Sequence, residues 1–277
     1  MNTPQKKKPR NVMDIFKYLD KSNCGKCGEK TCLAFASAVF QGKRNIEECP
    51  SVDKAVYTHL SLGKNEKRQN LLEKNQQETL EFLKGKIRDI DLAKRAEALN
   101  AKFSNNRLTL KMLGKDFSVD QNGEIYSDIH VNQWVAAPFF YYVLHGKGVP
   151  VSGEWITFRE LKDGMTRFNF FQKRCEEPMK KLADMYTDLF DDIVRIFGGK
   201  KVEEMFESDI SLVLHPLPLV PMLICYWKPE DGLGSSLNIF FDKTADQNLS
   251  ADTIFTLGTG MAQMFEKIAH KHGFHTL

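Results

Sequence analysis

Cys24, Cys27, Cys32 and Cys49 are the residues of this 277-residue chain whose type and spacing specify chemistry most directly. They run C-x2-C-x4-C-x16-C, and Pro50 follows the last of them. Thiolate sulfur is a soft ligand, and four thiolates gathered at one centre suit an iron–sulfur cluster or a tetrahedral zinc ion. The spacing favours the cluster. Structural zinc sites commonly pair two short Cys-x-x-Cys knuckles. Here three cysteines fall within nine residues and the fourth stands alone. A compact three-cysteine loop with a distant Cys-Pro can wrap a cubane, whose iron corners face different sides. A 4Fe–4S cluster is therefore the expected centre, with zinc as the alternative.

The flanking residues suit a cluster. Gly25 and Gly28 stand beside two of the ligands, where the backbone must turn tightly and N–H groups can be aimed at sulfur. Such hydrogen bonds, and the charges of Lys26, Lys30, Lys43 and Arg44, favour the reduced state and raise the potential. From Thr31 to Phe40 the chain reads as a helix of small and apolar residues with Cys32 in its first turn. Val12, Ile15, Phe16 and Leu19 recur at helical spacing, so Asn11 to Leu19 is expected to pack as a second helix over the centre.

The stretch from Asp14 through Cys24-Gly-Lys-Cys-Gly-Glu-Lys-Thr-Cys-Leu-Ala-Phe-Ala to Cys49-Pro50 resembles the cluster domain of the corrinoid iron–sulfur protein large subunit. That family belongs to the carbon monoxide dehydrogenase/acetyl-CoA synthase system. The resemblance covers roughly residues 11 to 60 and matches all four cysteines and both glycines. It implies a cluster that feeds single electrons to a cobalt corrinoid.

Net charge is +3 with 27% charged residues, which makes no case for nucleic acid. Eight lysines and arginines fall in residues 1–30, and the run Lys6-Lys7-Lys8-Pro9-Arg10 reads as a basic flexible tail over 1–10. No apolar run approaches the ~20 residues of a membrane helix, and none near Met1 reads as a secretory signal. The expected location is the cytoplasm, where a reducing interior keeps thiols free.

Three further segments follow: a cluster domain over 11–61, a linker helix over 62–103, and an α+β domain over 104–277. Val52 to Leu60 reads as a short helix closing the first. From Glu66 to about Phe103 the chain is helix-forming, with a break expected at Gly85 and a loose apolar stripe of Leu72, Leu80, Leu83, Ile87, Ile90 and Ala93. A strand meander follows around Gln121-Asn122-Gly123. Asn132 to His145 reads as an apolar helix, Glu176 to Phe197 as one amphipathic helix, and Lys201 to Glu207 as a short third. Strands are expected at Ile210 to Leu214, Leu219 to Trp227 and Ser236 to Phe241, with Pro221 marking an edge or a bulge. Ala251 to His270 closes the chain as a helix. Strands and helices do not alternate regularly, so the fold class is α+β rather than doubly wound.

This larger region is also similar to a domain that follows such cluster motifs in proteins of anaerobic microbes. Ser152-Gly-Glu-Trp-Ile-Thr-Phe-Arg-Glu-Leu, the Leu217-Pro-Leu-Val-Pro run into Trp227, and Asn238-Ile-Phe-Phe-Asp242 carry the similarity. It implies an architecture and no mechanism.

Candidate cofactor-binding residues here are His130, Trp155, His215, Trp227, Glu230 and Asp231. Asp128-Ile-His130 resembles the start of the Asp-x-His-x-x-Gly corrinoid motif, but Gln133 stands where glycine belongs, and a surface histidine is the plainer reading. His215 ends a strand and could ligate a metal or simply be hydrogen-bonded. Trp155 and Trp227 could floor a flat pocket or fill core. Glu230 and Asp231 sit in a glycine-bearing loop that could orient a ligand. Cys225 reads as a buried hydrophobe and Cys175 lacks a base. The tail histidines His270, His272 and His275 read as surface residues. Together these features point to an iron–sulfur electron-transfer protein passing electrons to a cofactor, a corrinoid being the first to test, or to a redox partner such as a corrinoid protein or methyltransferase. The alternatives are a small reductase with its own substrate pocket and a binding protein with a structural metal.

Overall fold

The computed structural model describes residues 9, 11–41, 43–53, 66–128, 130–188, 192–193, 196–203, 205–230 and 232–271. The basic tail, the expected 52–60 helix beyond residue 53, Asp231, His272 and His275 lie outside them. The chain divides into two compact units, Met1–Gln76 and Gln77–Leu277.

The small unit is built on two short helices. Helix α1 spans Val12–Phe16, shorter than its apolar spacing suggests, and Asn11 caps it by accepting the Asp14 N–H. Helix α2 spans Cys32–Phe40, capped by the Thr31 side chain, which accepts the Ala34 N–H. Ile15, Leu19, Phe35, Ala36, Val39, Ile46 and Val52 form its core together with Cys32 and Cys49.

Helix α3, Glu66–Arg88, carries Gly85 without interruption. The break expected at Gly85 falls instead at residues 89–91. There Asp91 accepts the Ala93 and Lys94 N–H groups and starts α4, Leu92–Ala98. A side-chain cap ends one helix and begins another more decisively than a single glycine, which only lowers helix propensity. Within the larger unit Leu83 and Ile87 are buried, so this part of α3 belongs to the core.

The larger unit is α+β and its sheets are antiparallel. Strands β1 (Lys102–Ser104), β2 (Arg107–Met112), β3 (Lys115–Asp120) and β4 (Ile125–Ser127) form a meander in chain order. Its Gln121-Asn122-Gly123 turn lies against α3: the Gln121 amide donates to the Ile87, Arg88 and Ile90 carbonyls. Gly123 has φ +81, and a Cβ there would stand 2.9 Å from Lys84 Cα. Gly123→Ala therefore meets both a left-handed backbone and a helix backbone. It is expected to cost about 2 kcal/mol or more in urea unfolding, with unchanged m-value.

Helix α5, Gln133–His145, follows with Asn132 at its N-cap. The second sheet runs in the order β5-β9-β8-β7-β6, with β5 (Trp155–Thr157), β6 (Lys200–Lys201), β7 (Ile210–Leu217), β8 (Val220–Trp227) and β9 (Ser236–Asp242). Strand β8 is central, so Pro221 is not at an edge. It sits opposite the register shift between Leu214 and Leu217, and a bulge accommodates its missing N–H.

Two helical expectations fail. The helix expected over Glu176–Phe197 does not run unbroken: after α6 (Phe168–Phe171) and a π-helical turn (Gln172–Glu176), α7 (Glu177–Met185) stops at Tyr186, and residues 192–193 and 196–197 are again helical. Pro178 has no N–H to offer the Arg174 carbonyl, and the wider π turn occurs directly before it. The 201–207 helix is β6 followed by a 3-10 turn at Met205–Glu207. Short α8 (Ala245–Asn248) and long α9 (Ala251–Lys271) complete the unit. One face of the second sheet, with Leu212, Met222, Ile224, Leu237 and Phe241, joins α5, α7 and α9 in the main core. Among the described residues no helix is long and apolar enough to cross a membrane.

Candidate metal centre

The three-cysteine loop is locked to α2 by one asparagine. Asn23 accepts the Cys32 N–H through its side chain at 2.8 Å and donates its own N–H to Cys32 Sγ at 3.4 Å. That N–H is not a glycine's: Gly28 gives its N–H to the Gly25 carbonyl at 2.9 Å. Gly25 and Gly28 contribute left-handed turns, at φ +70 and +81.

Burial grades across the four cysteines. Cys32 and Cys49 are buried in the small core, Cys27 is half-buried against it, and Cys24 is exposed. The Lys26 N–H and the Ser22 hydroxyl pull the Cys24 thiol below its ordinary value. Burial pushes the Cys49 thiol up, and the neighbouring Cys27, Asp20 and Cys32 add to the rise. A buried thiol that resists ionisation alone is ionised by a metal, and binding free energy then becomes folding free energy. Arg44 bonds Glu48 at 2.9 Å and approaches Glu29 at 3.9 Å, linking the segment before Cys49 to the three-cysteine loop.

Among the described residues no three His, Cys, Asp or Glu side chains are placed to hold a single metal ion. A cluster makes a different demand, because each thiolate binds its own iron. Four thiols on one small unit, with the Asn23 N–H on Cys32, fit that group by their chemistry.

The structure does not gather the other candidates. His130 is exposed in the link between β4 and α5. His215 lies in the β7 bulge, where burial, and then the charge of Lys200, lower its pKa. Its carbonyl accepts the Leu113 N–H at 3.0 Å, so it joins the two sheets. Trp155 and Trp227 do share the second face of the large sheet, packed against Leu223, Cys225 and Phe240. They are at opposite ends: Trp155 pairs with Asp242 and Trp227 with Ser236. Those partners are six residue steps apart on β9, about 20 Å along the strand. One flat ring cannot lie on both. Glu230 is exposed and bridges only to Leu233. Burial pushes the Cys175 thiol up to about 12, and Cys225 is raised for the same reason, so neither is an activated nucleophile.

Asp242, although within a quoted motif, was not singled out by sequence reasoning. Buried at the end of β9, it accepts the Ser152 and Gly153 N–H groups and both the N–H and hydroxyl of Thr244. Burial works against its charge, but those donors prevail and hold the carboxyl below its usual range. Asn248 similarly ties Val149 to Leu219. These two knots join the three motif stretches of this region, so their residues are architectural. Asp20 was also missed, although the Asp-Lys-Ser spacing before Cys24 is an Asx-turn signal.

Comparison with known proteins finds two family models along the chain. The family model described as "Domain of unknown function (DUF3786)" matches residues 91–264, and the one described as "Putative Fe-S cluster" matches residues 19–51. The corrinoid/iron-sulfur protein large subunit of Moorella thermoacetica is 47% identical over 47 residues, 17% of this chain and 10% of that protein. The acetyl-CoA decarbonylase/synthase complex subunit gamma of Methanothermobacter thermautotrophicus is 37% identical over 61 residues, 22% of this chain and 12% of that one. The subunit gamma of Methanocaldococcus jannaschii is 45% identical over 40 residues, 14% of this chain and 8% of that protein. The matches thus span about a tenth of the length of these curated relatives. No solved structure is significantly similar to the chain.

Proposed function

We propose, from the premise that the chain belongs to the DUF3786 family and carries an iron–sulfur motif before that domain, that it is a single-electron carrier. Cys24, Cys27, Cys32 and Cys49 would hold a 4Fe–4S cluster. When bound, the cluster supplies a one-electron store of low potential. The chain's own residues would set its working conditions. The Asn23 N–H stabilises negative charge at Cys32, and the small apolar core limits water on the Cys32 and Cys49 side. Cys24, the exposed ligand, marks the edge through which an electron would pass.

The observation that carries this reading is the placing of four cysteines on one small unit, with Asn23 tying the three-cysteine loop to Cys32 through both its side chain and its N–H. An N–H aimed at a ligand sulfur is a feature that tunes clusters. The acceptor is proposed to be a redox partner protein. The relatives' names make a corrinoid protein the first partner class to test. A corrinoid held by this chain is not supported, because His130, Trp155, His215 and Trp227 do not converge on one pocket.

The test is an anaerobic mixing experiment with the full chain. The reduced protein should bleach reversibly by one electron per chain and should reduce hydroxocobalamin without co-eluting with it. Failure to cycle by one electron would overturn the carrier reading. A shifted cobalt spectrum with co-elution would overturn the assignment of the corrinoid to a partner.

A further inference from the structure

The only carboxylate hydrogen-bonded to a cysteine sulfur of the centre, among the described residues, is that of Asp20. Its Oδ1 accepts the Ser22 N–H at 3.1 Å and the Ser22 hydroxyl at 2.9 Å, just before Cys24. Cys32 Sγ lies 3.7 Å from the same oxygen. The charge of Asp20 also works to raise the Cys24 and Cys49 thiols. An anion therefore stands beside Cys32 and acts on two further cysteines.

The neighbouring cations are less firmly placed. Lys21 and Lys30 are exposed, and Lys26, also exposed, reaches only toward Cys24. Long solvated side chains are screened by water and salt. Asp20 is exposed too, but the Ser22 N–H and hydroxyl fix its position.

We propose that Asp20 is a potential-tuning residue, whose negative charge opposes the extra electron of the reduced centre and keeps its potential low. The proposal rests on the reading of the four cysteines as cluster ligands. One electron enters the cluster and no bond to Asp20 forms or breaks. The physical effect is the Coulomb repulsion between the carboxylate and the added electron, reduced by the water around it. The Asn23 N–H acts in the opposite direction, and the working potential is the balance of the two.

The competing role for Asp20 is a purely structural turn, holding Ser22 in place. Asp20→Asn separates the two, because the amide oxygen still accepts the Ser22 N–H while the charge is gone. The full chain is isolated without air, its iron and sulfide are counted, and its midpoint is found by redox titration followed by electron paramagnetic resonance. The expected result is wild-type iron and sulfide with a midpoint moved in the positive direction, favouring reduction by about threefold or more. Glu47→Gln, which removes an exposed charge of the same unit, should titrate like wild type. Asp20→Ser is the second neutral variant, should the amide prevent loading. Full loading with an unchanged midpoint in Asp20→Asn or Asp20→Ser would overturn the proposal. So would loss of iron and sulfide from both, which would leave Asp20 a structural role. A wild-type chain without iron and sulfide would instead overturn the cluster reading beneath it.

Discussion

Cys49→Ser is expected to strip the centre of metal, leaving less than about a tenth of the wild-type iron per chain, and to unfold the small unit with it. Cys49 is 3% exposed and packs with Ile15, Leu19, Phe35 and Val39. Serine is a poor ligand for iron, and its hydroxyl would be buried at a cost of about 1–3 kcal/mol. The small unit has little to set against that loss. Its core has seven apolar residues besides the two cysteines, and domains this small commonly depend on a metal or a disulfide. The measurement is iron content together with circular dichroism of the anaerobic protein. Cys225→Ser is the matched control. Cys225 is equally buried, but in the larger unit beneath Met205 and beside Ser211, and its replacement should leave iron unchanged. Equal iron loss in both variants would mean that general unfolding, and not ligation, removes the metal.

Glu176→Gln is expected to stabilise the larger unit at pH 8 by about 3 kcal/mol and to leave stability at pH 4 nearly unchanged. Glu176 is 7% exposed at the end of the π turn. Its carboxylate takes the Ile239 N–H at 3.0 Å, just past the last β5–β9 pair, Thr157 with Phe240. It therefore replaces a strand partner where β5 has ended. Burial pushes its pKa up to about 7 from 4.5, and the Ile239 donor offsets only part of that rise. The folded state thus binds the proton more tightly than the unfolded chain. Stability from this group is fully present below about pH 4.5 and is lost as pH rises through about 7. Glutamine keeps the acceptor and the volume while removing the charge. The difference in melting temperature between variant and wild type should therefore grow from pH 4 to pH 8, reaching about 6–12 °C. A constant difference across that range would mean that Glu176 is not protonated in the folded protein.

What the sequence disclosed and what it withheld divide by range of interaction. The cysteine motif, the Thr31 cap of α2, the Gln121-Asn122-Gly123 turn, α5 and the three long strands are written in contiguous residues, through spacing, capping and alternation. The end of α7 is not, because the amphipathic period continues beyond Met185 while the backbone turns away at Tyr186. The bonds from Asp242 to Ser152 and Gly153 and from Asn248 to Val149 cross roughly ninety residues or more. No local pattern marks such a partner. Trp155 and Trp227 show the limit most plainly: the sequence suggests one aromatic floor, and the strand register puts the rings at two ends of one sheet face. The four cysteines proposed for the centre stand out in the sequence by their spacing alone. Asp20 does not, because its place beside Cys32 depends on the fold of the loop across twelve positions.

The claim on which the account turns is tested most directly by counting iron, acid-labile sulfide and zinc in the full chain isolated without exposure to air. About four iron and four sulfide per chain, with no stoichiometric zinc, is the predicted result. One zinc ion per chain, or neither iron nor sulfide, would contradict it.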